Sequence, residues 1–444
     1  MTRTADHAQG WLAPVAAAPI RAVVAVPGSK SAANRALVLA AIADGPGWVR
    51  GAPDARDIRL MIAALQALGT ELQVQSAEPG TLDVAVQPQA LRGPAQIDVG
   101  LAGTVMRFVP PIAVLADGAI TFDGDAHARQ RPMAELLRGL RALGATITDT
   151  NGYLPCTVDG HAGLRGGHVQ IDASASSQFV SGLLLAGSRY RDGITIEHVG
   201  SRVPSQPHIE MTLAMLRERG VQAATHGGQG NPDGVPVSWT VQPGPIKALD
   251  CRIEPDLSNA AVFMAAALVT GGQVTIPNWP AVTTQAGDAM RELIPRLGGE
   301  IVLDERGCTV RGHGVLRGID VDLHDVGELT PTIAALCALA DGPSQLRGIP
   351  HLRGHETDRL AALVADLRAL GGDAEETSDG LIIRPTALHG GPWSAYADHR
   401  MATAGAIIGL RVADIVVDDI ACTTKTLPDF DHRWRRMLDA AQAC

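Results

Sequence analysis

Two patterns of apolar positions alternate along the chain, and each recurs at a spacing of about 75 residues. The first is an amphipathic helix that ends on glycine and runs into a strand. Its copies are "MIAALQALGTELQV", "LLRGLRALGATITD", "LAMLRERGVQAAT", "LIPRLGGEIVLD" and "LVADLRALGGDAEE". The apolar residues fall at helical spacing, and the glycine provides the left-handed turn that ends a helix. The glycines Gly69, Gly144, Gly220, Gly298 and Gly371 lie 73 to 78 residues apart. The second pattern is an alanine-rich helix, apolar on nearly every side, that closes on glycine or aspartate. It reads "SAANRALVLAAIADG", "AGTVMRFVPPIAVLADG", "SSQFVSGLLLAGSRYRDG", "LSNAAVFMAAALVTGG", "ELTPTIAALCALADG" and "DHRMATAGAIIGLRVAD", with closing glycines Gly45, Gly118, Gly193, Gly272 and Gly342. A helix apolar all round belongs in the interior of a domain. Short β-rich segments such as "VQIDAS", "GQVTIP" and "GLIIRP" lie between the helices.

Six such units account for nearly all of the 444 residues, so the period describes the whole fold. Six units are too many for one core, whereas three plus three give two α/β domains of ordinary size. The joint is expected near residues 250 to 254, after the Gly/Pro/Gln-rich stretch "HGGQGNPDGVPVSW".

Composition narrows the class. The chain is 46% hydrophobic and 19% charged, with a net charge of −10, which suits a soluble globular protein and argues against a nucleic-acid partner. The longest apolar run, "AAVFMAAALV", is about half the length of a membrane span, so no membrane partner is expected. "WLAPVAAAPI" hints at a signal peptide, but two prolines interrupt it and Asp6 precedes it. The cysteines Cys156, Cys251, Cys308, Cys337, Cys422 and Cys444 show neither zinc-ligand nor disulfide-framework spacing. A reduced, cytoplasmic protein without a metal site is the expectation.

The starts of the buried helices carry the candidate chemistry. "VAVPGSKSAANRALVLAAIADG" looks like a phosphate loop, yet the nucleotide P-loop needs glycines where this chain has Ser29 and Val24. A helix N-terminus offers free N–H groups and about half a positive charge, so it can hold other anions. The residues at these starts are Ser29, Lys30, Ser31 and Arg35; Gly103, Thr104 and Arg107; Ser176, Ser177 and Gln178; and Asp398, His399 and Arg400. Taken singly, the hydroxyls are ordinary caps and the arginines solvated flanks. Capping requires no arginine at the head of an apolar helix, however, and three of these four starts have one. A convergent polyanion site is the better account. Lys30, Lys247 and Lys425 are the only lysines, and Lys30 lies at one of these starts.

"PGSKSAANRA", "AGTVMR", "RQRPM", "SSQF", "EPDLSNA", "GHETDRL", "DHRM" and "TTKTLPDF", spread in order over residues 20 to 432, resemble the EPSP synthases of the enolpyruvyl transferase family. The resemblance implies a two-domain inside-out α/β barrel of six βαβαββ repeats, three per domain. Residues 1–27 with 253–444 would form one domain and 28–252 the other, with the substrates in the cleft between them. It implies transfer of the enolpyruvyl group of phosphoenolpyruvate to the 5-hydroxyl of shikimate 3-phosphate, by a monomer with no cofactor. Shikimate 3-phosphate would be held by Lys30, Ser31, Arg35, Ser176, Ser177, Gln178, Ser205, Glu328 and His355. Phosphoenolpyruvate would be held by Lys30, Gly103, Arg131, Gln178, Arg359, Arg400 and Lys425. Glu356 would move the methylene proton and Glu328 take the hydroxyl proton, with Lys30 shared between substrates.

Two carboxyl groups in different environments can divide acid and base work, and arginines and lysines can stabilise a departing phosphate. Taken alone, Glu356 could equally be a solvated helix-start acid and Glu328 a dipole-favoured one. Leu101, Phe108, His208 and His355 depart from the commonest family residues, which are asparagine, proline, tyrosine and lysine. The sister UDP-N-acetylglucosamine enolpyruvyl transferases usually carry a cysteine on the loop that here reads "DGDAHARQRPM". A non-catalytic anion-binding repeat scaffold is the remaining alternative.

Overall fold

A computed structural model describes residues 10–161, 163–227 and 238–440. Most of the Gly/Pro/Gln-rich stretch, together with Asp6 and Cys444, lies outside the described residues. The first three repeats give the helices α1 (Lys30–Ala41), α2 (Arg56–Ala67), α3 (Gly103–Ala113), α4 (Ala134–Ala142), α5 (Ser177–Gly187) and α6 (Pro207–Glu218). The last three give α7 (Leu257–Thr270), α8 (Met290–Arg296), α9 (Thr330–Ala338), α10 (Arg359–Ala369), α11 (His399–Gly409) and α12 (Phe430–Ala440).

The amphipathic helices α2, α4, α6, α8 and α10 all stop in the same way. After α2, Gly69 N–H donates to Gln66 O (2.9 Å) and Thr70 N–H to Leu65 O (3.0 Å), which satisfies two of the carbonyls a helix end leaves open. Gly69 sits at φ 96°, and its counterparts Gly144, Gly220, Gly298 and Gly371 at 104°, 77°, 95° and 84°. A β-carbon would be strained at such angles, which is why glycine marks every copy.

Each repeat folds into its own small sheet. In the second repeat the strand order is Ala95–Asp98, Asp117–Asp123, Tyr153–His161, Thr146–Thr150. The first pair is parallel and is bridged by the buried helix α3, as parallel strands require a crossover. The sheets of the first and fourth repeats take their parallel strand from a distant part of the chain. Cys251–Arg252 pairs with Gly47–Pro53, and Arg21–Val23 pairs with Gln273–Ile276. The contacts accordingly divide the chain into two compact units, residues 27–254 and residues 1–26 with 255–444. The sequence expectation drew these joints at 27/28 and 252/253.

Within each unit the helices from the second pattern form the interior. All residues of α3 from Gly103 to Ala113 are buried, as are those of α7 from Leu257 to Val269. Helices α1, α3 and α5 touch one another, as do α7, α9 and α11. The first turns bond to first turns, with Asn34 Nδ2 donating to Thr104 Oγ1 at 2.8 Å. The last turns meet the same residues at the opposite end: Arg189 Nε donates to Ile42 O (2.7 Å) and Tyr190 OH to Pro111 O (2.8 Å). The three helices therefore run parallel. In the other unit Arg411 serves the same purpose, donating to Val269 O (2.5 Å) and Leu339 O (3.4 Å).

These side-chain caps end the buried helices before the glycines that close the sequence pattern. α1 stops at Ala41, α3 at Ala113, α5 at Gly187 and α9 at Ala338, leaving Gly45, Gly193 and Gly342 in the following connections and Gly118 in the next strand, Asp117–Asp123. α7 closes on Gly271, at φ 69°, and not on Gly272.

Candidate active site

In the unit 27–254, Ser29 caps α1 by accepting from Ala32 N–H, and Ser176 caps α5 by accepting from Gln178 N–H. The N-cap of α3 is Ala102, which has no side-chain cap bond. Three positive helix ends are thus flanked by uncharged caps. Lys30 Nζ lies 3.1 Å from the buried Asp57 carboxylate, and the Ser31 carbonyl accepts from Arg35 Nη1 (2.9 Å).

Arg35 lies beneath the helix start and is only 1% exposed. Its Nε donates to Thr212 Oγ1 (2.7 Å), and its Nη2 to Ser181 Oγ (3.2 Å) and His208 O (3.0 Å). Hydroxyls from two helices and a carbonyl fix the guanidinium in place. Phe108 supports it from one side, with the guanidinium carbon 4.9 Å from the ring centroid. Departures from the family pattern lie here. Phe108 packs on Arg35, whereas Leu101 and His208 contribute backbone carbonyls, to Arg131 Nη1 (3.2 Å) and Arg35 Nη2, that do not depend on the side chain.

Gly103 opens α3 where two arginines converge. A β-carbon there would stand 2.9 Å from Arg107 Nη1 and 3.0 Å from Arg131 Nη2, so the missing side chain is what admits both guanidiniums. Arg107 Nη1 also donates to Gln178 Oε1 (3.2 Å), which joins the starts of α3 and α5. Ser177 is buried beside it at the head of α5. Ser205 adopts a left-handed φ of 55°, uncommon for a residue with a β-carbon and typical of functional loops.

In the unit 1–26 with 255–444 the helix starts are acidic. Asp256 caps α7 through Asn259 N–H (2.9 Å), and Asp398 caps α11 through Arg400 N–H (2.9 Å). Glu328 lies two residues before α9 and accepts a short hydrogen bond from Ser258 Oγ. Arg359, the first residue of α10 and 2% exposed, joins these groups. It grips Asp398 twice, Nε to Oδ2 at 2.7 Å and Nη2 to Oδ1 at 3.1 Å, and reaches Glu356 Oε2 at 2.8 Å. Lys425 Nζ holds the other oxygen of Glu356 at 2.6 Å. Burial opposes the charge on Arg359, but Asp398, Glu356 and Glu328 outweigh it and raise its pKa further.

Arg359 Nη1 is 3.3 Å from His355 Nδ1. His351 packs against His355 and His324, with ring centroids 5.9 and 5.7 Å away. Burial, then His324 and Arg359, pushes the pKa of His351 down to about 4.

Each unit thus gathers its own predicted residues. Lys30, Ser31, Arg35, Gly103, Arg131, Ser176, Ser177, Gln178 and Ser205 belong to 27–254, and Glu328, His355, Glu356, Arg359, Arg400 and Lys425 to the other. The buried thiols of Cys156, Cys308 and Cys337 are pushed up to about 12, which unsuits them as nucleophiles.

The model of the EPSP synthase (3-phosphoshikimate 1-carboxyvinyltransferase) family matches residues 15–434. The chain belongs to this family. A 3-phosphoshikimate 1-carboxyvinyltransferase of Kocuria rhizophila is 52% identical over 99% of both chains. An EPSP synthase structure from Acinetobacter baumannii aligns with a TM-score of 0.77 and 25% identity, covering 96% of this chain and 97% of the other. A second structure of that organism's EPSP synthase gives 0.76 and 24% and bears on the fold alone. The fold is the family's α/β architecture, and the reaction is enolpyruvyl transfer in the shikimate pathway.

Against this EPSP synthase frame, several residues at the two sites carried no role in the sequence reading. Asp57, which pairs with Lys30, is the one acid of the amphipathic helix α2, where a first-turn acid is ordinarily a solvated, dipole-favoured residue. Thr212 and Ser181 hold Arg35 from two other helices. Ser258 was visible inside "EPDLSNA", but only the fold brings it to Glu328, 70 residues on.

Proposed function

We propose that the two sets of helix starts divide the work of the EPSP synthase reaction. Lys30, Ser31, Arg35, Ser176, Ser177, Gln178 and Ser205, with Glu328 and His355, hold shikimate 3-phosphate. Lys30, Gly103, Arg131, Gln178, Arg359, Arg400 and Lys425 hold phosphoenolpyruvate. The observation that carries this reading is Glu356, whose two oxygens lie 2.6 Å from Lys425 and 2.8 Å from Arg359.

The 5-hydroxyl adds to C2 of phosphoenolpyruvate while a proton joins the methylene carbon, giving a tetrahedral intermediate. Glu356 delivers that proton and is left as a carboxylate between Lys425 and Arg359, ready to act as base in the next step. Glu328, oriented by Ser258, takes the hydroxyl proton. In the second step the C–O bond to phosphate breaks, Glu356 takes a proton back from the new methyl group, and the enol ether forms. Positive side chains stabilise the phosphate as it leaves. We read the protein as a cytoplasmic monomer whose partners are these two small molecules.

The test is phosphate release by the purified protein with phosphoenolpyruvate and shikimate 3-phosphate, beside UDP-N-acetylglucosamine as control acceptor and a Glu356→Ala variant. Release with shikimate 3-phosphate alone, lost in the variant, supports reaction and residue together. Release with the sugar nucleotide moves the assignment to the sister enzyme.

A further inference from the structure

Asp398 meets Arg359 because of the turn that precedes it, and that turn is unusual. It leaves the strand Gly391–Trp393 and enters α11 at His399. Its central residues, Tyr396 and Ala397, take left-handed φ values of 53° and 54° in succession. Residues with a β-carbon rarely adopt one such angle, and two in a row persist only where the surroundings hold them.

Two carboxylates from neighbouring elements do the holding. Asp418 Oδ1 accepts from Ala395 N–H at 2.7 Å. Asp366 Oδ1 accepts from Ser394 N–H and from Tyr396 OH, both at 3.4 Å. The turn closes on itself through Asp398 N–H to Ala395 O at 2.8 Å. Asp366 is on α10, seven residues after Arg359, which puts it two turns along the same face. α10 therefore brackets the turn: Arg359 clasps its last residue and Asp366 its first.

We infer that Asp366 and Tyr396 are positioning residues for phosphoenolpyruvate, locking the 394–398 turn so that Asp398 is set on Arg359 and Arg400 stands at the head of α11. The inference rests on the assignment of Arg359 and Arg400 to phosphoenolpyruvate made above. Packing alone does not account for Asp366. It is 5% exposed, and its Oδ2 is buried with no hydrogen-bond partner among the described residues, an arrangement that costs stability. Burial pushes its pKa up to about 7, against the opposing hydrogen bonds from Ser394 and Tyr396.

Steady-state kinetics with each substrate varied in turn test this, for Tyr396→Phe, Asp366→Ala and Asp366→Asn, with Arg400→Gln measured beside them. Asparagine keeps the Oδ1 acceptor. Tyr396→Phe and Asp366→Ala should raise the KM for phosphoenolpyruvate about tenfold, as a small misplacement of a binding group does. The KM for shikimate 3-phosphate should stay within about twofold, and Asp366→Asn should recover most of the loss. Tyr396, 38% exposed, can be changed without emptying the core if Asp366→Ala fails to fold. A raised KM in Arg400→Gln with unchanged values in Tyr396→Phe and Asp366→Ala overturns the positioning role. Equal loss for both substrates, or no recovery with asparagine, also overturns it. An unchanged KM in Arg400→Gln removes the underlying assignment, and the inference with it.

Discussion

The two units use one repeat, yet they treat the starts of their buried helices in opposite ways. In residues 27–254 the N-caps are Ser29, Ala102 and Ser176, and Arg35 and Arg107 are held by hydroxyl, carbonyl and amide oxygens. In the other unit Asp256, Glu328 and Asp398 occupy or adjoin those starts, and Arg359 and Lys425 bind carboxylates. Lys30 of the first unit is paired with the buried Asp57, so the contrast lies in the arginines, which donate to neutral oxygens in one unit and to carboxylates, groups that can carry protons, in the other. On the proposed assignment, the same geometry would serve as a platform for anions in one unit and an acid–base centre in the other.

The strongest way to break this contrast is to remove proton chemistry from the acidic unit. Glu356→Gln should lower kcat by roughly a thousandfold with little change in either KM, as loss of a positioned acid–base group does. A variant that changes KM alone would mean that Glu356 only binds. The corresponding lesion in the neutral unit is Arg35→Met, which strips the donor from Thr212, Ser181 and the His208 carbonyl. Buried acceptors left unsatisfied cost about 2 to 4 kcal/mol together, read as a drop in denaturant midpoint without a change in slope. Arg35→Lys should not restore it, since an ammonium cannot reproduce the fork.

Gly103→Ala sharpens the comparison at a single atom. Its β-carbon would meet guanidinium ends at 2.9 and 3.0 Å, so Arg107 and Arg131 move and the backbone does not. The expected result is a rise of about tenfold in the KM for phosphoenolpyruvate with a smaller change in kcat. His351 gives a smaller, pH-dependent effect. Its folded value of about 4 lies below the ordinary 6.5, so unfolding takes up a proton as pH falls from 6.5 towards 4, and stability falls with it. His351→Gln should flatten that stretch of the stability profile, read by denaturant midpoints between pH 4 and 7. The smallest effect is expected from His355→Lys. Arg359 and Lys425 already supply positive charge at Glu356, so kcat/KM should change less than about threefold, and a large gain would show that they do not suffice.

Repetition made the fold legible. Five glycines at one point of the repeat had to be helix ends, and each one is. Six helices apolar on all sides had to be interior, although their ends were placed too late because the caps, Arg189, Tyr190 and Arg411, come from other helices' turns. The candidate residues were legible through motifs, but not their roles in the structure. Nothing in "NRALVL" says that Arg35 turns inward to Thr212, 177 residues away. Asp57 and Asp366 were invisible for a related reason. Each is one acid in an amphipathic helix, where solvated acids are the rule and only tertiary packing singles one out.

The parallel run of α1, α3 and α5 brings three like poles together, and their caps add no negative charge. Two half charges about 9 Å apart repel by roughly 0.5 kcal/mol at an effective dielectric constant of 20. Arg189 offsets the opposite pole of α1, and at its positive pole Lys30 is paired with the buried Asp57 carboxylate. On the proposed assignment, an oxyanion bound at these starts should stabilise residues 27–254 as well as serve as a substrate group. A phosphate ester at a hundredfold excess over its Kd stabilises by about 2.7 kcal/mol the unit that holds it. Titrated with such an ion, the melting midpoint of the chain should climb with concentration, and Arg35→Met should blunt the climb.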